Sequence, residues 1–280
     1  MPRVSVLTPI YNTNPAHLRE CIDSILNQTF KDFEFIIVND SPENKELDKI
    51  VSSYKDPRIK YFKNKKNIGI SATRNRLLKL AKGEYLAIFD HDDISVPERL
   101  ALEVEYLDNN PYVGVVSGWV QCFGTKNDVL KNPEKDIDIK VHLLKNCYVA
   151  HTAAMIRKSV LTKNNIEYEE YYTPAEDYRL WARLMDVTHF YNFQKPLVYY
   201  RTHENMTTIS QNSKMYDAWE NISTELHNKY PAYYDILKRS DLNNGTIFRL
   251  RLFGIIPLMK IKNKRIYLFE FVPVLKLKWK

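Results

Sequence analysis

The 280-residue sequence has few cysteines and glycines, and several common protein classes are excluded by what it lacks. Its three cysteines, Cys21, Cys122 and Cys147, are too few for a disulfide framework and have no metal-binding spacing. Its seven glycines form neither GxGxxG nor GxxxxGKS/T, which argues against dinucleotide enzymes and P-loop NTPases. No run approaches the ~20 apolar residues that span a bilayer, and no secretory signal is recognisable. We therefore expect a cytoplasmic protein with reduced thiols.

Positive charge is concentrated at the C-terminal end. The formal net charge is +7, and residues 245–280 alone contain nine Lys or Arg against one acid, Glu270. Because the charge is confined to this tail, we expect no nucleic-acid partner. Segments 252–262 and 268–278 repeat each other, and the prolines at 257 and 273 would break a continuous helix. We expect either a basic helical hairpin packed on the rest of the chain or, as the composition favours, two short segments on an anionic membrane.

Strand and helix patterns alternate along the chain. Buried-strand patterns cover residues 4–8, 33–38, 59–62, 85–89, 113–123, 150–156 and 197–200. Helical patterns cover residues 15–28, 47–54, 71–81, 97–107, 139–146, 174–185 and 210–230. Ser71 is the expected N-cap of the third helix, and Pro97 is expected early in the fourth. The alternation predicts an α/β fold with a mainly parallel central sheet flanked by helices.

Polar residues stand where three of the predicted strands end. Tyr11 and Asn12 follow the first strand, Asp40 follows the second, and the acidic run 90–93 follows the fourth. In open α/β sheets, ligands bind outside the carboxyl ends of the strands. Three polar groups at this edge therefore indicate one shared site.

The acidic run is the sharpest local signal. The carboxylates of Asp90, Asp92 and Asp93 repel one another unless a cation or solvent offsets their charge. Mg²⁺ is commonly held by one or two carboxylates together with phosphate oxygens and water. The alternative is a solvated acidic turn that caps the next helix, where acids also suit the helix dipole. The position after a buried strand favours the metal.

Other candidate residues allow two interpretations each. Glu176 and Asp177 precede an amphipathic helix, where acids are common in any first turn. His203 is either a structural histidine or a metal ligand. Arg74 belongs to an exposed basic helix face or presents its guanidinium to a phosphate or base edge. Tyr11 could stack on a nucleobase.

Taken together, these motifs resemble the family 2 glycosyltransferases with the GT-A fold. The resemblance covers residues 3–203 and is carried by six motifs in order. They are residues 4–12, Ile37-Val38-Asn39-Asp40-Ser41, Asn67-x-Gly69-x-Ser71-x-x-Arg74-Asn75, Phe89-Asp90-His91-Asp92-Asp93, Glu176-Asp177-x-x-Leu180-Trp181 and Tyr200-Arg201-x-His203. The resemblance implies an inverting transferase that uses a nucleotide-diphospho-sugar, usually UDP-linked, with Mn²⁺ or Mg²⁺.

The resemblance also implies a role for individual residues. It assigns donor nucleotide binding to Thr8, Pro9, Tyr11, Asp40, Asn67 and Arg74. It further implies that Asp90 contacts the ribose, that Asp92 binds the metal, and that Asp177 is the catalytic base. Glu176 is the second candidate base, and His203 the second candidate metal ligand. The sequence departs from the family pattern in two places. The turn that is usually Asp-Asp-Gly-Ser is here Asn39-Asp40-Ser41-Pro42. The Gln-x-x-Arg-Trp motif of processive synthases is absent, which favours an enzyme that adds a single sugar.

The expected enzyme extends a surface glycan such as lipopolysaccharide, O-antigen or capsule, with a glycan or lipid-linked glycan as acceptor. We expect a catalytic domain over residues 1–210, divided near residue 110 into nucleotide-binding and acceptor halves. A helical extension over 211–244 and the tail over 245–280 follow, and the tail would hold the enzyme peripherally on the inner face of the cell membrane. The alternatives are a nucleotidyltransferase, which normally needs a glycine-rich loop absent from residues 8–15, and an inactive glycan-binding scaffold.

Overall fold

The computed structural model describes residues 1–203, 212–243, 246–252, 256–262, 265–268 and 272–276. The chain forms two compact units, residues 1–226 and 227–280. The first part of unit one contains β1 (Val4–Ile10), α1 (Pro15–Leu26), β2 (Phe33–Asn39), α2 (Lys45–Ser53), β3 (Ile59–Lys63), α3 (Ile70–Leu80), β4 (Tyr85–Ile88), β5 (Ile94–Ser95) and α4 (Arg99–Asn109). After these come β6 (Val113–Gly124), β7 (Val129–Leu130), α5 (Asp136–Leu143), β8 (Met155–Arg157), α6 (Lys158–Lys163), α7 (Glu176–Leu184), β9 (His189–Thr202) and α8 (Asn212–Lys229).

The central sheet has the predicted mixed, mostly parallel character. Its strand order is β3-β2-β1-β4-β8-β6-β9-β5, with β7 added beside β6. The four strands β1 to β4 are mutually parallel, and so are β6 and β9, whereas β8 is antiparallel to both of its neighbours. The predicted α/β fold is therefore confirmed, and the carboxyl ends of β2, β1 and β4 lie side by side.

Burial explains why the first half could be predicted from its pattern. All seven residues of β1 and of β2 are buried, because helices cover both faces of a parallel sheet. On α1 the expected apolar face of Leu18, Cys21, Ile22 and Ile25 is buried against this sheet. The side chain of Asn14 caps α1 by accepting hydrogen bonds from the main-chain N–H groups of residues 16 and 17.

Several expected element boundaries are wrong. The helix α3 begins at Ile70 after Gly69, and Ser71 lies inside its first turn, where its hydroxyl pairs with that of Thr173 at 2.6 Å. Pro97 precedes α4 instead of lying within it. The expected strand over 150–156 is a 3-10 turn at His151–Ala153 followed by the short strand β8. The polar side chains of His151 and Thr152 interrupt what resembled a continuous apolar run.

The second unit contains α9 (Pro231–Asn243) and four strands, β10 (Thr246–Leu252), β11 (Ile256–Lys262), β12 (Arg265–Leu268) and β13 (Val272–Lys276). These strands form an antiparallel sheet in chain order, so the helical hairpin expected for the tail is wrong. Basic and apolar residues alternate with a period of two in segments such as 249–252 and 259–262, and that period favours a strand. No helix in the described part of the chain is long and apolar enough to cross a membrane.

A buried ion pair lies under the central sheet. The side chains of Arg99 and Glu103, one turn apart on α4, are both fully buried and 3.2 Å apart. Arg99 also donates to the main-chain carbonyls of Ile88, the last residue of β4, and of Ala154, which immediately precedes β8. Burial raises the pKa of Glu103 to about 7, and Arg99 opposes the rise. Glu103 is the only carboxylate partner of Arg99 among the described residues. The buried cation therefore depends on Glu103 for its counter-charge.

Replacing Glu103 should destabilise the first unit strongly. Glu103→Ala leaves the buried Arg99 cation without a counter-charge, a change that costs about 3 kcal/mol or more in the free energy of unfolding. Glu84→Ala is the control, because Glu84 pairs with Arg3 at the surface, where such pairs contribute less than about 1 kcal/mol. Urea unfolding at pH 8 measures both variants. Equal losses in the two would contradict the importance of the buried pair.

Candidate active site

The predicted site residues come together at the carboxyl edge of the parallel strands. Tyr11, Asp40 and Asp90 each follow the end of one of the three adjacent strands β1, β2 and β4. Thr8 lies inside β1 and is fully buried, and its hydroxyl donates to the carbonyl oxygen of Phe89 at 2.9 Å. Pro9 is also buried in β1, whereas the side chain of Tyr11 is half exposed. Thr8 thus ties two strand ends together, and Tyr11 is open to a ligand.

Asp40 holds the loop that leads into α3. Its Oδ1 accepts from the side-chain amide of Asn64 at 2.6 Å and from the N–H of Ile68 at 2.9 Å, and its Oδ2 accepts from the N–H of Gly69 at 3.0 Å. The side chain of Asn67 also accepts from the N–H of Gly69, at 2.9 Å. Gly69 has a φ of +86°, a conformation that side chains other than hydrogen strongly disfavour. The motif Asn67-x-Gly69 therefore builds a fixed loop beside the strand ends.

Arg74 connects the two halves of the site. One of its terminal nitrogens donates to Asp90 Oδ1 at 3.1 Å, and the other donates to Glu176 Oε1. Burial disfavours the cation, but the attraction of Glu176 and Asp90 outweighs it and raises the pKa of Arg74. Burial likewise opposes ionisation of Asp90, but His151 and Arg74 lower the pKa of that carboxyl. The exposed basic face considered for Arg74 is therefore wrong, because its side chain is mostly buried.

The acidic turn after β4 is fixed from β9. The main-chain N–H of Arg201 donates to Asp93 Oδ1 at 2.9 Å, and its Nε donates to the carbonyl oxygen of Asp92 at 2.8 Å. The carboxylate of Asp92 remains partly exposed, with its Oδ2 at 3.4 Å from Nε2 of His203. Asp93 is fully buried, and its burial raises its pKa well above the usual range. The turn thus presents Asp92 and His203 together and keeps Asp93 inside.

Glu176 and Asp177 open α7 but lie in different environments. Glu176 is buried and bound to Arg74, and burial raises its pKa while Arg74 opposes the rise. Asp177 is partly exposed; its Oδ1 accepts from the N–H of Tyr178 at 2.7 Å, and its Oδ2 is 3.9 Å from the thiol of Cys147. Of the two candidate bases, only Asp177 is open to a substrate hydroxyl.

His151 and Tyr168 belong to this site, and no pattern in the sequence indicated either of them. His151 Nε2 is 2.9 Å from the hydroxyl of Tyr168, and its Nδ1 faces Asp90 Oδ2 at 4.0 Å. The ring of Trp181, in the second turn of α7, is 5.9 Å from the ring of His151. An isolated histidine in an apolar run gives no indication that its partners are Asp90 and Tyr168.

The residues present are compatible with a divalent metal at Asp92. A carboxylate and an imidazole are suitable donors for Mn²⁺, and the carboxylate alone suits Mg²⁺. Within the described residues, no three His, Cys, Asp or Glu side chains are gathered as a closed metal cage. An open site of this kind leaves positions for phosphate oxygens and water, as is usual for Mg²⁺.

Comparisons with known proteins identify the family to which this chain belongs. The family model "Glycosyl transferase family 2" matches residues 5–164. An uncharacterised glycosyltransferase of Methanocaldococcus jannaschii is 39% identical over 188 residues, which are 65% of this chain and 64% of that protein. This chain therefore spans less than two thirds of that relative's length.

Two solved structures resemble the fold. TarS of S. aureus (residues 1–349), in complex with UDP-GlcNAc, has a TM-score of 0.67 at 23% identity, covering 81% of this chain and 67% of that one. A mannosyltransferase from Pyrobaculum calidifontis, in complex with GDP-Man and Mn²⁺, has a TM-score of 0.58 at 16% identity, covering 88% and 76%. The strand order, the polar strand ends and the matched family model lead to one conclusion: the chain belongs to glycosyl transferase family 2 and has a GT-A fold.

Proposed function

We propose that residues 1–210 form the catalytic domain of an inverting enzyme that transfers one sugar from a UDP-sugar to a hydroxyl of a growing surface glycan. The observation that carries this proposal is the difference between the carboxylates at one sheet edge. Asp40 accepts three hydrogen bonds from the protein, and Asp90, though partly exposed, is paired with Arg74. Asp92 and Asp177 are partly exposed, lie on different elements, and have no Lys or Arg partner among the described residues. That arrangement supplies separate groups for the diphosphate and for the acceptor hydroxyl.

The donor nucleotide would bind over the ends of β1, β2 and β4. The exposed ring of Tyr11 is available to stack on the base. Asp40 is buried and accepts one hydrogen bond at Oδ2 among the described residues, so that oxygen would be the acceptor for the imide N–H of uracil once the base lies against it. Thr8, Pro9, Asn67 and Arg74 would shape this pocket indirectly, because their contacts are with the protein. Asp90, held by Arg74, would accept hydrogen bonds from the ribose hydroxyls. TarS, solved with UDP-GlcNAc, supports a UDP-sugar, and the Pyrobaculum mannosyltransferase indicates that the fold also accommodates a GDP-sugar.

Asp177 is proposed as the catalytic base. In an inverting displacement, a carboxylate removes the proton of the acceptor hydroxyl as that oxygen attacks the anomeric carbon opposite the leaving diphosphate. Asp177 is fixed by the N–H of Tyr178 and keeps part of its carboxylate open. Glu176 is buried and bound to Arg74, so we propose that it positions the start of α7 and does not take the proton.

Asp177→Asn should lower kcat about 10²- to 10⁴-fold, because the amide cannot accept the proton. UDP binding should be unchanged, since a base acts in the transition state. Asp138→Asn is a suitable control, because Asp138 is an exposed acid in the first turn of another helix, α5. Turnover of the UDP-sugar and UDP titration calorimetry measure the two effects. Loss of UDP binding in Asp177→Asn would assign this residue to the donor site instead.

We propose that Asp92, assisted by His203, holds Mn²⁺ or Mg²⁺ with the donor diphosphate. Such a metal stabilises the negative charge that develops on the leaving diphosphate. The distance of 3.4 Å between the two side chains allows both to contribute to one ion. The Mn²⁺ present with the Pyrobaculum mannosyltransferase supports a divalent cation for this fold.

Divalent-metal dependence can be measured through binding as well as turnover. We expect Mn²⁺ to strengthen UDP binding by the unmodified protein, and Asp92→Asn to abolish that strengthening because a charged ligand is lost. Asp128→Asn, which changes an exposed acid on the loop between β6 and β7, should retain the wild-type response. Full turnover in excess chelator would contradict the proposal.

The C-terminal sheet supports peripheral attachment to an anionic membrane. Its pairing register places Arg249 opposite Lys260, Lys262 opposite Arg265, and Arg265 opposite Lys276. The sheet therefore brings together backbone positions that carry basic residues. Each basic residue near an anionic surface contributes about 1 kcal/mol to attachment. An acceptor carried on a lipid, as for lipopolysaccharide or capsule, would then be held at the same surface as the enzyme.

The full chain should therefore bind vesicles that contain anionic lipid at low salt and dissociate as salt is raised. The double variant Lys260→Glu/Lys262→Glu should lose most of this binding, whereas Lys49→Glu/Lys55→Glu, with the same charge change on exposed residues of the first unit, should keep it. Vesicle co-sedimentation measures all three proteins. Equal loss in both double variants would indicate an effect of net charge alone and would contradict a role for the C-terminal sheet.

A further inference from the structure

A histidine and a tyrosine lie behind Asp90, and the proposed function gives neither of them a role. His151 is on the 3-10 turn before β8 and Tyr168 is on the loop before α7, and both are buried. His151 Nε2 and the Tyr168 hydroxyl are 2.9 Å apart, and His151 Nδ1 is 4.0 Å from Asp90 Oδ2. Two adjacent contacts thus connect the tyrosine to the carboxylate through one imidazole.

Electrostatics selects the tautomer of this histidine. If Nε2 carried the proton, the lone pair of Nδ1 would face the negative Asp90 carboxylate, which is unfavourable in a buried setting. If the phenol of Tyr168 donates to Nε2, the proton is on Nδ1 and the N–H is directed to Asp90. Among the described residues Nδ1 has no hydrogen-bond partner, so this N–H is available to Asp90 alone.

Tyr168 is itself held firmly. The side-chain amide of Asn75 donates to its carbonyl oxygen and accepts from its N–H, both at 2.8 Å. The guanidinium of Arg74 lies over the ring of Tyr168, 5.6 Å from its centre. Because Arg74 also binds Asp90 Oδ1, the chain of contacts closes through α3 and reaches both carboxylate oxygens of Asp90.

We propose that His151, oriented by Tyr168, is a positioning residue that fixes the Asp90 carboxylate for the ribose hydroxyls of the donor. Arg74 donates to one oxygen, and His151 faces the other at 4.0 Å, so a hydrogen bond formed there when the donor binds would stop rotation of the carboxylate. Hydrogen bonds of this kind are often long before a ligand binds and shorten in the complex, which fits the 4.0 Å separation. The inference rests on the proposed function, because it assumes that Asp90 contacts the donor nucleoside.

The test compares two buried tyrosines that each lose one hydroxyl. Tyr168→Phe should weaken UDP binding about 3- to 10-fold, because His151 loses the partner that fixes its tautomer. Tyr85→Phe is the matched control, because Tyr85 is fully buried and its hydroxyl donates to Asp108 at 2.5 Å. Tyr85 is the first residue of β4 and lies five residues before Asp90, which is about 17 Å along an extended strand. Calorimetry with UDP should find wild-type affinity in Tyr85→Phe, and thermal unfolding reports the stability of both variants.

A double-mutant cycle separates positioning from general packing. In an Asp90→Asn background, Tyr168→Phe should cause no further loss of UDP affinity, since its effect acts through the carboxylate. If Tyr168→Phe does not fold, His151→Asn and His151→Leu are compared instead. The Asn side chain keeps an N–H donor near the position of Nδ1, so the His151→Asn variant should bind UDP more tightly than the His151→Leu variant. Wild-type affinity in Tyr168→Phe, or equal affinity in the two His151 variants, overturns the inference. A wild-type protein that does not bind UDP overturns the donor proposal as well.

Discussion

The rest of the site depends on the two ion pairs that the mostly buried guanidinium of Arg74 forms with Asp90 and Glu176. A cation withdrawn from water needs counter-charges, and Arg74 has one from the end of β4 and one from the start of α7. Those two elements are far apart in the sequence, so the pair of bonds joins the half that carries the strand ends to the half that carries Asp177. Loss of either carboxylate would leave the mostly buried cation with too little counter-charge.

Pairing with Arg74, together with burial, distinguishes the carboxylates near this sheet edge from one another. Arg74 and His151 lower the pKa of Asp90 against its burial, whereas burial raises the pKa of Asp93 and, against the attraction of Arg74, that of Glu176. Asp92 and Asp177 are partly exposed and have no Lys or Arg partner among the described residues. Burial and bonding partners thus give residues of the same type different chemistry.

Much of this arrangement could be predicted from the sequence, because its determinants are local. The polar residues that follow β1, β2 and β4 are adjacent to buried runs, and parallel pairing brings their ends together. The pairing of His151 with Tyr168 and Asp90 has no such pattern, since it depends on a 3-10 turn that the sequence suggested was a strand. For the tail, only the helical-hairpin alternative is wrong: its prolines exclude a continuous helix, and the two-residue alternation of basic and apolar residues favours the strands that are observed.

The hydrogen bonds between Asp40 and the loop before α3 determine which positions of that loop can change during evolution. Its carboxylate binds the N–H groups of Ile68 and Gly69, which every residue except proline possesses, so the fold of the loop does not depend on the side chain at position 68. Lys65, Lys66 and Ile68 are exposed there, beside the proposed donor pocket. Substitutions at these three positions can therefore change the charge and shape at the edge of the proposed donor pocket without disturbing the fold of the loop. A new donor preference can then arise by neutral change at these positions.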